Sequence, residues 1–399
     1  MSDADIGEQE IALVTTVLRS RGLSCGPVVE RFESSFAERV GTRFAVAVSS
    51  GTAGLHLALA AAGVEDGDLV ITTPYSFVAS ANVALYQRAL PVFVDIDPMT
   101  LNIDPTLVRQ ALDDLEAGGA PRERWLKSRE SASSGRVRAI LPVHVFGQPA
   151  AMDSIVEAAR GRGVAVIEDA CEGLGAEYRG RRVGTLGDAA VFGFFPNKQI
   201  TTAEGGMIVT DNAAWADLYR SLRNQGRDDG GAWLAYSRLG YNYRLNELSA
   251  ALGFVQISRL DELLAKRERV ATAYAERLHI PGVQALSPHA TTTRRSWFVY
   301  VVRLTVDIDR DAVIRALADD GIPSRPYFPS IHLQPFYRDR FGFRPGDFPH
   351  AEAASRSTLA LPFHANLSAD AVDYVATRLA AAVARCRERA TTTVAEVEA

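Results

Sequence analysis

Cysteine is scarce in this chain, with three in 399 residues, at Cys25, Cys171 and Cys386. They form no CxxC pair and no set spaced for zinc, so neither a disulfide scaffold nor a metal site is expected. Long apolar runs are missing too: nothing approaches the roughly 20 residues that cross a bilayer, so no membrane is expected as a partner. The opening MSDADIGEQE is acidic and polar. It lacks the basic region and apolar stretch of a secretory signal, which leads to the expectation of a reduced, cytoplasmic setting. Excess positive charge is also absent. Forty-three Lys and Arg stand against 48 Asp and Glu, a formal net charge of −5, so composition gives no reason to expect nucleic acid.

What is present is the composition of a globular protein, 47% hydrophobic and 23% charged, long enough for more than one domain. Up to about residue 245, short apolar runs alternate with helical periodicity. The expected strands are 44–48, 69–73, 91–95, a run within 138–147, 164–167, 189–194 and 206–210. Helices are expected over 7–21, 27–40, from Ala53, out of the loop PYSFVASANV, and over 105–116 and 150–161. Continuous apolar strands separated by helices predict an α/β fold, a mainly parallel sheet flanked by helices on both faces. Residues 117–137 carry charge, Gly and Ser with little period and read as an exposed excursion holding at most one helical turn. Beyond 245 the texture changes to a long helical tract broken in the middle, an alternating strand at 297–306, a helix over Asp309–Asp320 and an amphipathic helix over 369–388. The expected organisation is therefore a large domain over 1–245, a smaller α+β domain over 246–390, and a frayed tail over 391–399.

Two segments about thirty residues apart carry the chemistry. In VAVIEDACEGLGAEYRG, Asp169 follows a strand directly. Ligands of parallel sheets bind beyond the carboxyl ends of the strands, where a carboxylate can face the ring nitrogen of pyridoxal phosphate (PLP) and keep it protonated. Taken alone, Asp169 fits a helix cap or a magnesium ligand equally well. In AAVFGFFPNKQITTAEGGMIVT, Lys198 lies in a loop between apolar strands. Lysine is the side chain that forms an imine with an aldehyde cofactor, and it must be deprotonated to do so. Taken alone it reads as a solvent-facing loop lysine. Cys171, two residues beyond Asp169, reads as a small buried filler.

Taken together, the motifs VERFESSFAERVG, VSSGTAGLHLAL, PYSFVASANV, PVHVFGQPAAMD, IEDACEGLGA, FFPNKQITTAEGG, LGYNYRLNELSAALG and LPFH run in order through nearly the whole chain. The chain resembles the DegT/DnrJ/EryC1/StrS sugar aminotransferases, a branch of the fold-type I PLP enzymes. The resemblance implies PLP as cofactor, with pyridoxamine phosphate (PMP) as its aminated form. It gives Lys198 as the Schiff-base lysine and Asp169 as the acid on the pyridine nitrogen. Phe77 matches the aromatic that stacks on the ring, and Gly51, Thr52 and Ala53 match the turn that holds the phosphate. Glu172 stands where the family commonly has Gln or His beside the phenolic oxygen. Gly193 stands where many members have a phosphate-binding Ser. Asn242 and Arg244 match a segment that reaches into the neighbouring subunit's site, which implies a homodimer.

The implied reaction is a ping-pong transfer from an amino acid, most often L-glutamate, to a keto-sugar, usually a nucleotide-linked keto-hexose. Arg325, Tyr327, His332 and Phe336 in SRPYFPSIHLQPFY, together with His144, are the candidate substrate contacts; Arg227 cannot be told from a solvent-facing arginine. The same chemistry on a keto-cyclitol or a free or phosphorylated sugar stays open. A sugar dehydratase of this family carries His in place of the lysine, and a non-catalytic relative is expected to lose Lys198 or Asp169.

Overall fold

The computed structural model describes residues 3–126, 135–228, 234–286 and 288–397, with side chains as far as Glu388. The strands in chain order are β1 (Phe44–Val48), β2 (Leu69–Thr72), β3 (Leu90–Phe93), β4 (Val137–Ile140), β5 (Ala165–Asp169), β6 (Glu177–Tyr178), β7 (Arg181–Arg182), β8 (Ala189–Gly193), β9 (Gly206–Thr210), β10 (Val283–Ala285), β11 (Thr292–Arg294), β12 (Tyr300–Leu304) and β13 (Thr358–Leu361). Seven of them form the central sheet, in the order β1-β9-β8-β5-β4-β2-β3. Neighbours from β3 through β8 pair in parallel, and β9 is antiparallel to both β8 and β1.

The strands are apolar on both faces because both faces are covered. Ala45, Ala47, Leu69 and Ile71 belong to one apolar cluster, their neighbours Val46, Val48 and Val70 to another. The first is closed by the helices Pro27–Val40, Pro105–Ala117, Met152–Ala159 and Glu247–Ser258, the second by Gly51–Ala61, Ala79–Tyr86 and Ala213–Arg223. Local signals set several helix ends. Pro27 opens its helix after Gly26, and Gly41 closes it in the left-handed region at φ 94°. Asp104 caps the helix Pro105–Ala117 by accepting from the Thr106 and Leu107 amides.

A third apolar cluster joins the sheet β10-β12-β13 to the helices Arg310–Asp319 and Ala369–Val397 and to the second half of Leu260–Arg277. The chain after 245 does not serve this lobe alone. Leu260, Leu263 and Leu264, and the stretch from Phe328 to Ala354, pack into the large core. A hairpin, β6-β7, pairs with β11. The helical tract breaks at Arg259, as its pattern suggested. The strand expected over 138–147 ends at Ile140, and the one over 297–306 is shorter, at Tyr300–Leu304. The final helix runs on to Val397 instead of fraying after 390. Within the excursion the helical turn is Gly119–Glu123; residues 127–134 lie outside the described residues.

The topology gathers the site at one sheet edge. The carboxyl ends of β1, β5 and β8 meet there, and so does Gly206, the first residue of the reversed β9. Gly206 packs against the turn that follows β1 so closely that an added Cβ would lie 2.6 Å from the Ser50 carbonyl carbon and 2.7 Å from the Gly51 nitrogen. That approach admits only glycine.

Candidate active site

A cavity of about 480 Å³ opens at this edge, lined by Gly51, Thr52, Phe77, Ser80, Asp169, Glu172, Gly193, Lys198 and Tyr327 among others. Asp169 ends β5 and is 5% exposed. Its Oδ2 accepts from Ser80 Oγ at 2.8 Å and its Oδ1 from the Cys171 amide at 3.2 Å. Donors on both oxygens fix the plane of the carboxyl. Lys198 sits on the loop between β8 and β9. Its amide donates to Phe195 O at 2.9 Å, and its Nζ lies 3.7 Å from Glu172 Oε1 and 4.1 Å from the centroid of Phe298. Acid and amine thus face one space, and neither side chain is fully exposed to water.

The anion end is the start of the helix Gly51–Ala61. Ser50 caps it, its Oγ accepting from the Ala53 amide at 3.0 Å. This corrects the expectation for Ala53: its N–H is spent on the cap, and the residue does not line the cavity. The first-turn amides of Gly51 and Thr52 have no intrahelical acceptor, and with the Thr52 hydroxyl they suit a phosphate. Cys171 packs under this turn; a Cβ on Gly51 would fall 2.8 Å from its Sγ. Burial pushes the Cys171 thiol well up, so it stays a neutral filler. The carboxylate, the amine and the amide-lined anion end fit a flat heterocycle carrying an aldehyde and a phosphate.

Gly193 lies beside the same turn. A Cβ there would meet Cys171 Sγ at 3.4 Å and Cys171 Cβ at 3.5 Å, ordinary contact distances. Gly193→Ser should therefore be accommodated and add a hydroxyl donor to the anion end. A hydrogen bond to a charged group is worth ~1.5–3 kcal/mol, so PLP should bind roughly tenfold or more tightly. Equilibrium dialysis against PLP checks this, and an unchanged dissociation constant would count against the phosphate assignment.

Glu172 is buried, its Oε2 accepting from the Phe146 amide at 2.8 Å. Burial raises its pKa from 4.5 to about 7; the Lys198 charge and the Phe146 amide pull it down, and Asp169 pushes it up. Between 4.5 and about 7 the folded chain holds a proton here that the unfolded chain has released. Stability from this group is thus full below the unfolded value and is lost as pH rises through about 7. Glu172→Gln removes that titration. In cofactor-free protein the variant should gain stability relative to the parent by ~2 kcal/mol between about pH 5 and pH 8, read from unfolding midpoints. Parallel curves for the two proteins would refute the shift.

The other sequence candidates divide. Phe77 is exposed and lies at the mouth, where the cavity meets a second, apolar groove that Phe336 also lines. Tyr327 lines the cavity; burial, with the Glu172 charge, raises its pKa. Asn242 and Arg244 lie outside this chain's cavity, Arg244 donating to Asn224 Oδ1 at 3.0 Å. Three substrate candidates are corrected. His144 is wholly buried, with Nε2 2.9 Å from Glu168 and Nδ1 accepting from the Ala150 amide at 3.0 Å. His332 is likewise buried, 3.1 Å from Glu352 Oε1, and desolvation lowers its pKa. Each histidine is turned into the core by a carboxylate from a distant segment. Arg325 points to solvent outside the cavity, its Nη1 on Ser324 O at 3.1 Å. Sequence reasoning missed Ser80, Phe195, Asn197, Glu204 and Phe328, all of which line the site. Ser80 was the readable one, three residues beyond Phe77 at the opening of a helix.

Residues 4–380 match the model of the DegT/DnrJ/EryC1/StrS aminotransferase family. The chain is 41% identical over 355 residues to GDP-perosamine synthase of Caulobacter vibrioides, covering 88% of this chain and 89% of that one. Among solved structures it is similar to the aminotransferase TlmJ of Streptoalloteichus hindustanus, at 32% identity and a TM-score of 0.82, covering 95% and 97% of the two chains. Spr1654 of Streptococcus pneumoniae in its PLP-form matches at 25% identity and a TM-score of 0.86, covering 96% and 98%. With the lysine, the acid and the anion end in one cavity, these matches settle the assignment: the chain belongs to the DegT/DnrJ/EryC1/StrS family of PLP-dependent sugar aminotransferases.

Proposed function

We propose that this enzyme transfers the amino group of L-glutamate to the ketone of a nucleotide-linked hexose and works as a homodimer with shared sites. The observation that carries the reading is the meeting of Lys198 and Asp169 in one cavity with the amide-lined turn at Gly51 and Thr52. Bound there, PLP supplies an aldehyde and a protonated ring that draws electrons from the carbon being deprotonated. Asp169, oriented by Ser80 and the Cys171 amide, holds the ring nitrogen's proton. The Gly51 and Thr52 amides would hold the phosphate, and Phe77 would cover a ring face. With the cofactor bound, Lys198 Nζ would be the amine that holds the aldehyde and the base that moves a proton at the donor's α-carbon. Donor and acceptor use the same cavity in turn, which makes the kinetics ping-pong.

The mouth supports a sugar acceptor. Phe77, Phe195, Tyr327 and Phe328 offer apolar faces, and Glu204 adds a hydrogen-bond acceptor for hydroxyls. The name of the Caulobacter relative supports a nucleotide-linked one. Among the described lining residues, Lys198 alone is cationic. The donor's carboxylates and an acceptor's diphosphate therefore need positive charge from elsewhere, and Arg244, beside Asn242, of a second copy meets that need. The test is an absorbance titration of the PLP-loaded protein. L-Glutamate should bleach the visible band, and one acceptor from a panel of nucleotide-linked keto-hexoses should restore it. Restoration only by a keto-cyclitol or an unlinked sugar would overturn the acceptor class, and no response to any amino donor would overturn the reaction.

A further inference from the structure

Arg267 is 4% exposed in the helix Leu260–Arg277, and among the described residues no carboxylate pairs with it. Both terminal nitrogens of its guanidinium go to main-chain carbonyls, while Nε has no partner among the described residues. Nη2 donates to Lys198 O at 2.7 Å and reaches Asn197 O at 3.5 Å, while Nη1 reaches Trp297 O and Phe298 O, each at 3.3 Å. A buried cation without a counter-charge is costly, and desolvation lowers its pKa to about 10. The fork therefore joins two segments that are distant in sequence, the lysine loop and the irregular segment leading into β12. Phe298, at the second attachment, carries the ring over which the Lys198 ammonium rests at 4.1 Å.

We infer that Arg267 is a positioning residue, one that locks the peptide of Lys198 to the peptide of Phe298 and so holds the catalytic amine over its aromatic seat. A guanidinium is suited to this because its two ends donate in fixed directions, whereas an ammonium is a single point. Gln199 reinforces the same register, its Nε2 donating to Glu172 O at 2.7 Å and to Ser296 Oγ at 2.8 Å. A ring face attracts a cation placed over it. Variants that loosen this contact should therefore shift the pH dependence of labelling at Lys198. The other ionisable residues lining the cavity with Lys198 are Asp169, Cys171, Glu172, Glu204 and Tyr327 among the described residues, and the variants below leave all of them in place.

The experiment is the pH profile of Lys198 labelling by an amine-selective reagent, read by peptide mass spectrometry on full-length protein without cofactor and loaded with PMP. Arg267→Lys keeps the charge and loses the fork. Its profile should move down by about one pH unit, the shift a partly desolvated cation–ring contact would produce. Phe298→Leu, which removes the ring and leaves the fork, should move it down by a similar amount. The double variant should move no further than either single one, because both changes break the same contact. An additive double variant, or an Arg267→Lys profile superimposed on the parent, would reduce Arg267 to a structural brace. If Arg267→Lys does not fold, Phe298→Leu decides alone: an unmoved profile removes the seat and the inference with it.

Discussion

Lys198→Ala protein should fold, bind PLP without a covalent bond, and lose turnover by ~10⁴-fold or more. The expectation follows from what the side chain touches. Among the described residues its Nζ meets Glu172 and the face of Phe298, while its amide and carbonyl, which anchor the loop, belong to the main chain and survive the substitution. The fold should therefore be unaffected beyond the loss of these two partly buried contacts. The chemistry loses two services at once, the amine that bonds the aldehyde and the base that carries the proton, and these act as a unit. Glu172 cannot substitute. The Lys198 charge holds its pKa down, so removing the lysine drives the carboxyl further toward its protonated, non-basic form. Single-turnover mixing with L-glutamate is the measurement. Added methylamine, small enough for the vacated space, should restore part of the proton transfer. Turnover within a hundredfold of the parent, without added amine, would mean that another residue is the base.

How far the sequence could be read is clearest in particular residues. Strand ends marked Asp169 and Lys198 as candidates, but each had a bland reading alone, and the ordered motifs around them, through the family resemblance, gave them their roles. The central strands were legible for a related reason: burial on both faces makes them continuous apolar runs. His144 and His332 were misread because a histidine within a motif looks the same whether it faces a cavity or a core. What turns them inward, Glu168 and Glu352, is a tertiary contact. The hairpin β6-β7 is two residues per strand and held by β11 over a hundred positions away, too short to leave a period. Arg267 did leave a signal. Helical spacing puts it on the face of Leu263, Leu264, Val270, Ala271 and Tyr274, all buried. In a run reading AKRER the charge obscured the period, and only the four carbonyls around the guanidinium explain why an arginine is there.

Asp169→Asn should lower the rate of both half-reactions by ~10²–10⁴-fold while changing the apparent affinity for L-glutamate far less. The argument rests on the two donors that surround the carboxyl. Ser80 Oγ and the Cys171 amide each donate, one to each oxygen of the carboxyl. An asparagine can keep both partners, its oxygen accepting from the Cys171 amide and its NH₂ donating to the Ser80 hydroxyl oxygen, but it has no charge with which to retain the proton of a ring nitrogen. The ring then withdraws electrons less well at the step where the carbon gives up its proton, and the loss falls on kcat and not on binding. The substitution also removes the negative charge that helps raise Glu172, so the variant's pH profile should shift to lower pH together with its fall in rate. The two effects separate Asp169 from a mere cap: a helix cap replaced by Asn, itself a good cap, would cost little stability and leave the rate nearly intact. Stopped-flow rates with L-glutamate across the pH range, set beside unfolding midpoints, decide between them, and an Asp169→Asn enzyme within tenfold of the parent would return the carboxylate to a structural role.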